Sequence, residues 1–507
     1  MKINKDGLII AIDLGTSQLK GAVYDMSGRE INMESVEYSL FTPSNSIVEN
    51  DVNLYWKNII FILKKLTEKL GSRAKEILAI GTTSQGETIV PIDKNGNPLR
   101  NAIVWLDTRS IKEAEEISKN FDTKEMFRKT GYANVDPSLP ATRILWIKKN
   151  EPEIFLKTYK FLLLEDYIVY KLTGEFIGEA SVYSSSYYYD IIKFEYINSM
   201  LDYLGISEEK LPEITKPGTL VGNITKEVAT LTDLSKNTKV VNGAMDQLCG
   251  AVGAGNISTG IATETTGSSF AMVITTGKPV FNNESRLPCG PHVIPGLYVL
   301  MPYSYTGGIV LKWFRDNFCN GESQNAKKED TSVFNILDGL AASVPAGCEN
   351  LILIPYITGA FFPEYNPDAR GVYFGFGINH TKGHFIRAIL EAISFMMRKD
   401  IEAVKKLGIG IEKIISIGGG AKSKLWNQIK ADVCGVNIEI PEYTETALLG
   451  CALLTASALG IYNSIIDASA KLMKVKEIFY PDVKNLKIYN ENFKKYNNIY
   501  NNLKDLF

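Results

Sequence analysis

An apolar strand that breaks at glycine and hydroxyl residues, then turns back into a second apolar strand, occurs once in each half of this chain. The first copy, LIIAIDLGTSQLKGAVYD, predicts a strand from about Leu8 to Ile12, a turn at Gly15-Thr16-Ser17 and a strand from Leu19 to Tyr24. Met26-Ser27-Gly28 then turns into a third strand. The second copy is IATETTGSSFAMVI, residues 261–274. With 507 residues the chain is too long for one hydrophobic core. A repeated hairpin in so long a chain points to two duplicated α/β domains.

The remaining pattern fits that division. Leu54, Ile59, Ile62, Leu63, Leu66 and Leu70 recur at helical spacing, and Gly71 follows as a C-cap. ILAIGTTSQ, 77–85, reads as a strand running into a loop, and Ser110 with Glu113 forms a capping-box pattern. FLLLEDYIVY, 161–170, carries Glu165 and Asp166 and reads as buried strand and helix. In the second half a helix is expected from about Gly383 to Leu407. IISIGGGAKSKLWNQIKADVCG reads as strand, glycine turn and helix, and TETALLGCALLTASALG as another helix. The boundary is expected near 245–260, in GAVGAG, giving units of 1–250 and 251–507 that face a cleft. The Asn-, Lys- and Tyr-rich tail from about 480 reads as a surface helix.

Composition removes several classes. Lys and Arg number 55 against 57 Asp and Glu, so no basic excess exists to neutralise a nucleic-acid backbone. The six cysteines form no Cys-x-x-Cys pair, which suits reduced thiols in a cytoplasmic protein. Three histidines argue against a histidine-rich metal centre. The start, MKINKDGLIIAIDLG, lacks the features of a secretory leader. No apolar run reaches the length of a membrane span.

Five stretches carry chemistry. Asp13 ends the first strand, where an acid can hold Mg²⁺. The turn behind it offers backbone N–H groups, the hydroxyls of Thr16 and Ser17, and the ammonium of Lys20 as a cradle for phosphate oxygens. An ordinary hairpin turn uses the same residue types. Thr266-Gly267, in the second hairpin, would close such a site from the opposite side. Asp246, in GAMDQ, follows a strand and precedes a small-residue helix. It suits either a general base for a hydroxyl or a plain N-cap. Gly418-Gly419-Gly420-Ala421 permits close backbone approach to a ligand, or is a tight strand-to-helix turn. It is neither a dinucleotide fingerprint nor a P-loop. Gln85 and Glu87, with Trp105 and Asp107 some twenty residues on, would suit a polyhydroxylated ligand, or form a surface loop beside a core Trp.

Taken in order, these residues resemble the FGGY family of carbohydrate kinases over about 8 to 480. GVYFGFGINHTKGHFIRAILE, 371–391, matches the late family signature at Gly371, Gly375, His384, Ala388 and Glu391, with Phe376 where an aliphatic residue is usual. GGIVLKWFRDNF, 307–318, resembles the earlier one, with Lys312 and Trp313 in place. EPEIFLKTYKFLLLEDYIVYKLTGEF, 151–176, is similar to xylulokinase-like members.

The resemblance implies an actin/hexokinase-like fold, two ribonuclease-H-like domains around an ATP cleft, and ATP-dependent phosphorylation of a sugar or polyol hydroxyl. It implies Asp13 at the Mg²⁺ site, with Thr16, Ser17 and Lys20 by the phosphates. Thr266, Gly267, Gly307 and Gly308 would lie on the nucleotide phosphates or ribose, and Gly419, Gly420 and Ala421 along the adenosine. Asp246 would be the base with Gln247 beside it, and Gln85, Glu87, Trp105 and Asp107 would line the sugar site. Glycerol kinases carry an Arg where Gly86 stands and an aromatic near Ser138, so the pocket here is expected to be roomier. A pentulose, D-xylulose first, is the expected substrate, with gluconate, ribulose, glycerol or a tetritol as alternatives. A non-catalytic sugar sensor on the same scaffold is the rival from another class. Family habit implies a homodimer.

Overall fold

The structure is a computed structural model that describes residues 7–284 and 286–507. The first six residues, part of the stretch read for a leader, lie outside it. The first hairpin pairs β1 (Leu8–Leu14) antiparallel with β2 (Gln18–Asp25), and β3 (Glu30–Glu37) continues antiparallel on β2. On its other side β1 runs parallel to β4 (Ile77–Ser84), β4 parallel to β6 (Lys239–Met245), and β5 (Leu220–Asn223) closes the edge antiparallel to β6. β1 is buried along nearly its whole length, as a central strand covered on both faces must be.

The second half repeats this order. β7 (Ile261–Thr266) and β8 (Phe270–Thr276) form the hairpin, with β9 (Cys289–Pro291) and β10 (Tyr298–Leu300) following antiparallel beyond β8. β7 runs parallel to β11 (Lys413–Ile417), β11 parallel to β12 (Asn437–Pro441), and β13 (Val475–Phe479) closes antiparallel. Hairpin, parallel strand, parallel strand, antiparallel edge: the duplication read from two hairpins extends through both sheets.

Helices cover the sheets where apolar periodicity requires it. α1 (Val52–Leu70) is capped by Asp51, whose carboxylate accepts from Asn53 N, and it lays Tyr55, Ile59, Ile62, Leu63 and Leu66 into the first core. α2 (Pro140–Asn150) and α3 (Leu164–Thr173) complete that lobe, α3 burying both Glu165 and Asp166. α4 (Asp246–Ala254) follows β6. In the second half α6 (Lys382–Lys406), α7 (Lys424–Cys434) and α8 (Thr446–Ala458) follow the expected pattern, α5 (Ile309–Phe318) adds a helix before them, and α9 (Val483–Leu503) ends the fold.

α4 and α8, the helices after equivalent strands, cross between the lobes. α8 packs on β1, β4 and β6, and α4 reaches β7 and β8, so each lobe lends a helix to the other. A Cβ on Gly450 would lie 1.9 Å from Cys249 O, and one on Gly253 1.9 Å from Thr446 O, so these helices meet backbone to backbone.

Two local readings change. Ser110 does not cap the helix Ile111–Asn120; its hydroxyl donates to Pro137 O at 2.9 Å and lies 2.9 Å from Thr142 Oγ1. α9 is more than a surface helix: Tyr489, Phe493, Tyr496 and Tyr500 are buried in the second core. All six cysteines are free and buried. Among the described residues no helix is long and apolar enough to cross a membrane.

Candidate active site

A cavity of about 300 Å³ opens between the lobes. Its walls include Gln85 and Glu87 from the loop after β4, Trp105, and Asp246 and Gln247 at the start of α4. Thr16 of the first hairpin and Ser269 of the second also line it, so the cavity reaches both hairpin turns. A small sheet of Phe41–Ser44, Ile47–Asn50, Ile89–Ile92, Ala102–Ile103 and Lys160–Leu163 carries the Glu87 and Trp105 loops at its strand ends.

Asp246 stands in the first turn of α4 with Oδ1 accepting from Gln247 N at 2.6 Å. Burial, and then the negative charge of Asp13, push its carboxyl up to about 8, with Glu87 adding to the effect. Asp13 is itself pushed up to about 7 by burial, partly offset by Lys20. Its Oδ1 is buried without a hydrogen-bond partner. Buried carboxylates close enough for one to raise the other, with an oxygen left orphaned, suit a cation. Among the described residues no group of three or more His, Cys, Asp or Glu side chains is spaced to hold a metal. Mg²⁺ held by one carboxylate together with substrate phosphates fits that donor set.

Lys20 is ion-paired to Glu445 at 2.6 Å, across the lobes. Ser17 is exposed at the hairpin tip. Thr16 Oγ1 accepts from Trp105 Nε1 at 2.8 Å, and the indole lies 6.1 Å from the ring of Tyr305 in the other lobe. Tyr38 donates to Gly15 O and fixes the first turn.

The expected nucleotide-binding glycines converge around the second hairpin. Gly308 N donates to Gly267 O at 2.9 Å. A Cβ on Gly307 would sit 2.4 Å from Ser269 C, and one on Gly308 2.3 Å from Gly267 O. The Gly420 position abuts Thr266 Cβ at 2.8 Å, and that of Gly419 lies 3.6 Å from Thr266 O. Ala421 O accepts from Asn427 Nδ2. The Thr266 hydroxyl is turned inward to Glu264 Oε2 at 2.7 Å, with Glu264 paired to buried Lys430. Thr266 therefore offers a ligand its backbone and not its hydroxyl.

Of the residues expected to line the sugar site, Asp107 alone does not line the cavity. It is fully buried, accepts from Val48 N at 2.6 Å and pairs with Arg109 at 2.7 Å. Its carboxylate holds a loop and faces no ligand space. Sequence reasoning missed Arg143 altogether. That guanidinium is fully buried and donates to Glu87 O at 2.6 Å, Trp105 O at 2.9 Å and Asp107 O at 3.1 Å, tying both ligand loops to α2. A single Arg in an amphipathic helix gives no local sign of this. Tyr303 and Tyr305 also line the cavity; their place just before Gly307-Gly308 was the one available signal.

Duplicated hairpin sheets exchanging helices across a cleft are the actin/hexokinase-like architecture of a two-lobed phosphotransferase. The FGGY family of carbohydrate kinases matches with its N-terminal domain over residues 8–253 and its C-terminal domain over 265–459, and the chain belongs to that family. It is 30% identical to a xylulose kinase of Staphylococcus epidermidis, over 98% of this chain and 97% of that one. It is 28% identical to a gluconokinase of Bacillus subtilis, over 90% and 88%. The crystal structure of ligand-bound xylulose kinase from Lactobacillus acidophilus superposes with a TM-score of 0.89 at 26% identity, covering 98% of each chain.

Proposed function

We propose that this carbohydrate kinase transfers the γ-phosphate of ATP to a hydroxyl of a ketopentose, D-xylulose first, and acts in the cytoplasm. One observation carries the reading: Asp246, Glu87, Gln85 and Trp105 share a single cavity that reaches the turns of both glycine hairpins. In this reading the N-terminal unit, 1–250, holds the sugar and the C-terminal unit, 251–507, holds the nucleotide. Asp246 takes the proton of the attacking hydroxyl, which must happen as the oxygen bonds to phosphorus. Glu87 and Gln85 accept from other hydroxyls, and Gln85 Oε1 is free to do so. Trp105, held by Thr16, covers an apolar ring or chain face. Backbone groups at Gly267, Gly307 and Gly308 follow the phosphates, with Gly419, Gly420 and Ala421 along the adenosine. Asp13 would hold Mg²⁺, which supplies neutralisation of phosphate charge. Lys20 and the turn at Thr16 and Ser17 add to that cradle.

The test is ADP release with purified protein, ATP and a panel of ketoses and polyols. Asp246→Asn should bind sugar and lose turnover by at least ~10². Near-normal turnover in that variant removes Asp246 as the base. Sugar binding with no ADP release in the wild type favours the sensor.

A further inference from the structure

The signs of the charges around the cavity narrow the ligand further, on the reading that this cavity holds the phosphoryl acceptor. Among the described residues, those lining it include no Lys, Arg or His, while Glu87 and Asp246 both do. Arg143 and Asp136 stand just behind, close enough for their opposite charges both to act on Glu87 and Tyr305, with Asp136 also acting on Tyr132. Two cations lie nearby, and both are committed. Arg143 is fully buried and its two terminal amino groups donate to the carbonyls of Glu87, Trp105 and Asp107, while its Nε has no partner. Turning it into the cavity would leave three carbonyls unpaired. Lys20 is closed on Glu445 at 2.6 Å.

The cavity is therefore rich in acceptors and poor in positive charge. Glu87 is fixed in place by its backbone. It sits at φ 58°, an uncommon conformation for a side-chain-bearing residue, with its carbonyl held by Arg143. A hydroxyl group donates to such acceptors. A carboxylate has no proton to donate and finds no Lys, Arg or His on the cavity wall to pair with.

We infer that the acceptor site selects neutral polyhydroxylated substrates and rejects aldonates, with Glu87 as the residue that enforces the choice. Gluconate thus leaves the list of acceptors, although a gluconokinase stands among the relatives of this chain.

Matched pairs test this without confusing charge with size: D-xylulose against D-xylonate, and D-fructose against D-gluconate, by ADP release at neutral pH. The neutral member of at least one pair should exceed its anionic partner in kcat/KM by at least about 100-fold. Glu87→Gln should narrow that ratio, and Ser138→Arg, which brings a cation to the cavity wall, should narrow it by at least about tenfold. The two variants are independent, so a folding failure in one leaves the other. An aldonate used as well as its neutral partner overturns this inference and leaves the kinase reading intact. ADP release that no member of either pair raises above the ATP-only rate leaves the cavity without an acceptor and sinks this inference. No release under any condition sinks the kinase reading itself.

Discussion

Asp246 occupies the kind of position that an acid without any chemistry also favours, the first turn of a helix, where it accepts from a backbone N–H. Its neighbours distinguish it. Capping gains nothing from a second acid, yet Asp13 and Glu87 both press on its charge. Asp166, in α3, shows the other fate of a buried acid. It accepts from Tyr183 and from Leu163 N, lines no part of the cavity, and burial pushes it up to about 7 from an ordinary 3.8. A carboxyl raised in the folded state favours folding fully below its unfolded value. That contribution is lost as pH rises through the folded value, here between about pH 4 and 7. Asp166→Asn removes the titration. Denaturant unfolding from pH 4 to 8 should find the variant gaining on wild type across that window, by a few kcal/mol at most. A difference between the two that stays constant with pH would refute the assignment. Asp13, Glu87 and Asp246 stood out in the sequence because each lies at or just past a strand end. Asp107 was misread because it follows Trp105 in sequence, while Val48 and Arg109 decide where it points.

Elements were legible where the signal was local. The two hairpins announced themselves by glycine and hydroxyl turns between apolar runs, and α1 and α6 by their period. The cap at Ser110 failed because Pro137 O competes for its hydroxyl from another part of the chain. α9 looked polar because its Asn and Lys residues outnumber its tyrosines, but those tyrosines share one face and that face is buried. The crossing of α4 and α8 left no readable trace beyond small residues. There the structure makes a sharp demand: a methyl on Gly450 would meet Cys249 O at 1.9 Å. Gly450→Ala must push the helices apart. It should cost at least about 1–3 kcal/mol of stability, against the small gain that alanine brings to an open helix site. A thermal melt that rises or holds steady would show that the helices do not touch there.

At the scale of the whole molecule, the lobes are joined by the exchanged helices, by the Trp105 and Tyr305 rings, and by the ion pair of Lys20 with Glu445. Glu445 immediately precedes α8 but makes no side-chain cap; its carboxylate reaches Lys20 on the first hairpin of the other lobe. Both side chains are about a quarter exposed, so water and salt weaken the pair, and its share of stability is about 1 kcal/mol or less. Its position matters more than its strength. If Lys20 serves the phosphates, the triphosphate must displace the Glu445 carboxylate, and it meets that negative charge in doing so. Glu445→Gln takes away both obstacles. The expected result is a KM for ATP lowered about two- to fivefold, with the melting temperature nearly unmoved, since a pair worth 1 kcal/mol corresponds to about a fivefold change in binding. Lys20→Met should raise the same KM and abolish the benefit of the Glu445 change when the two are combined. A KM for ATP that rises in Glu445→Gln would mean that the carboxylate steadies Lys20 for the nucleotide instead of competing with it.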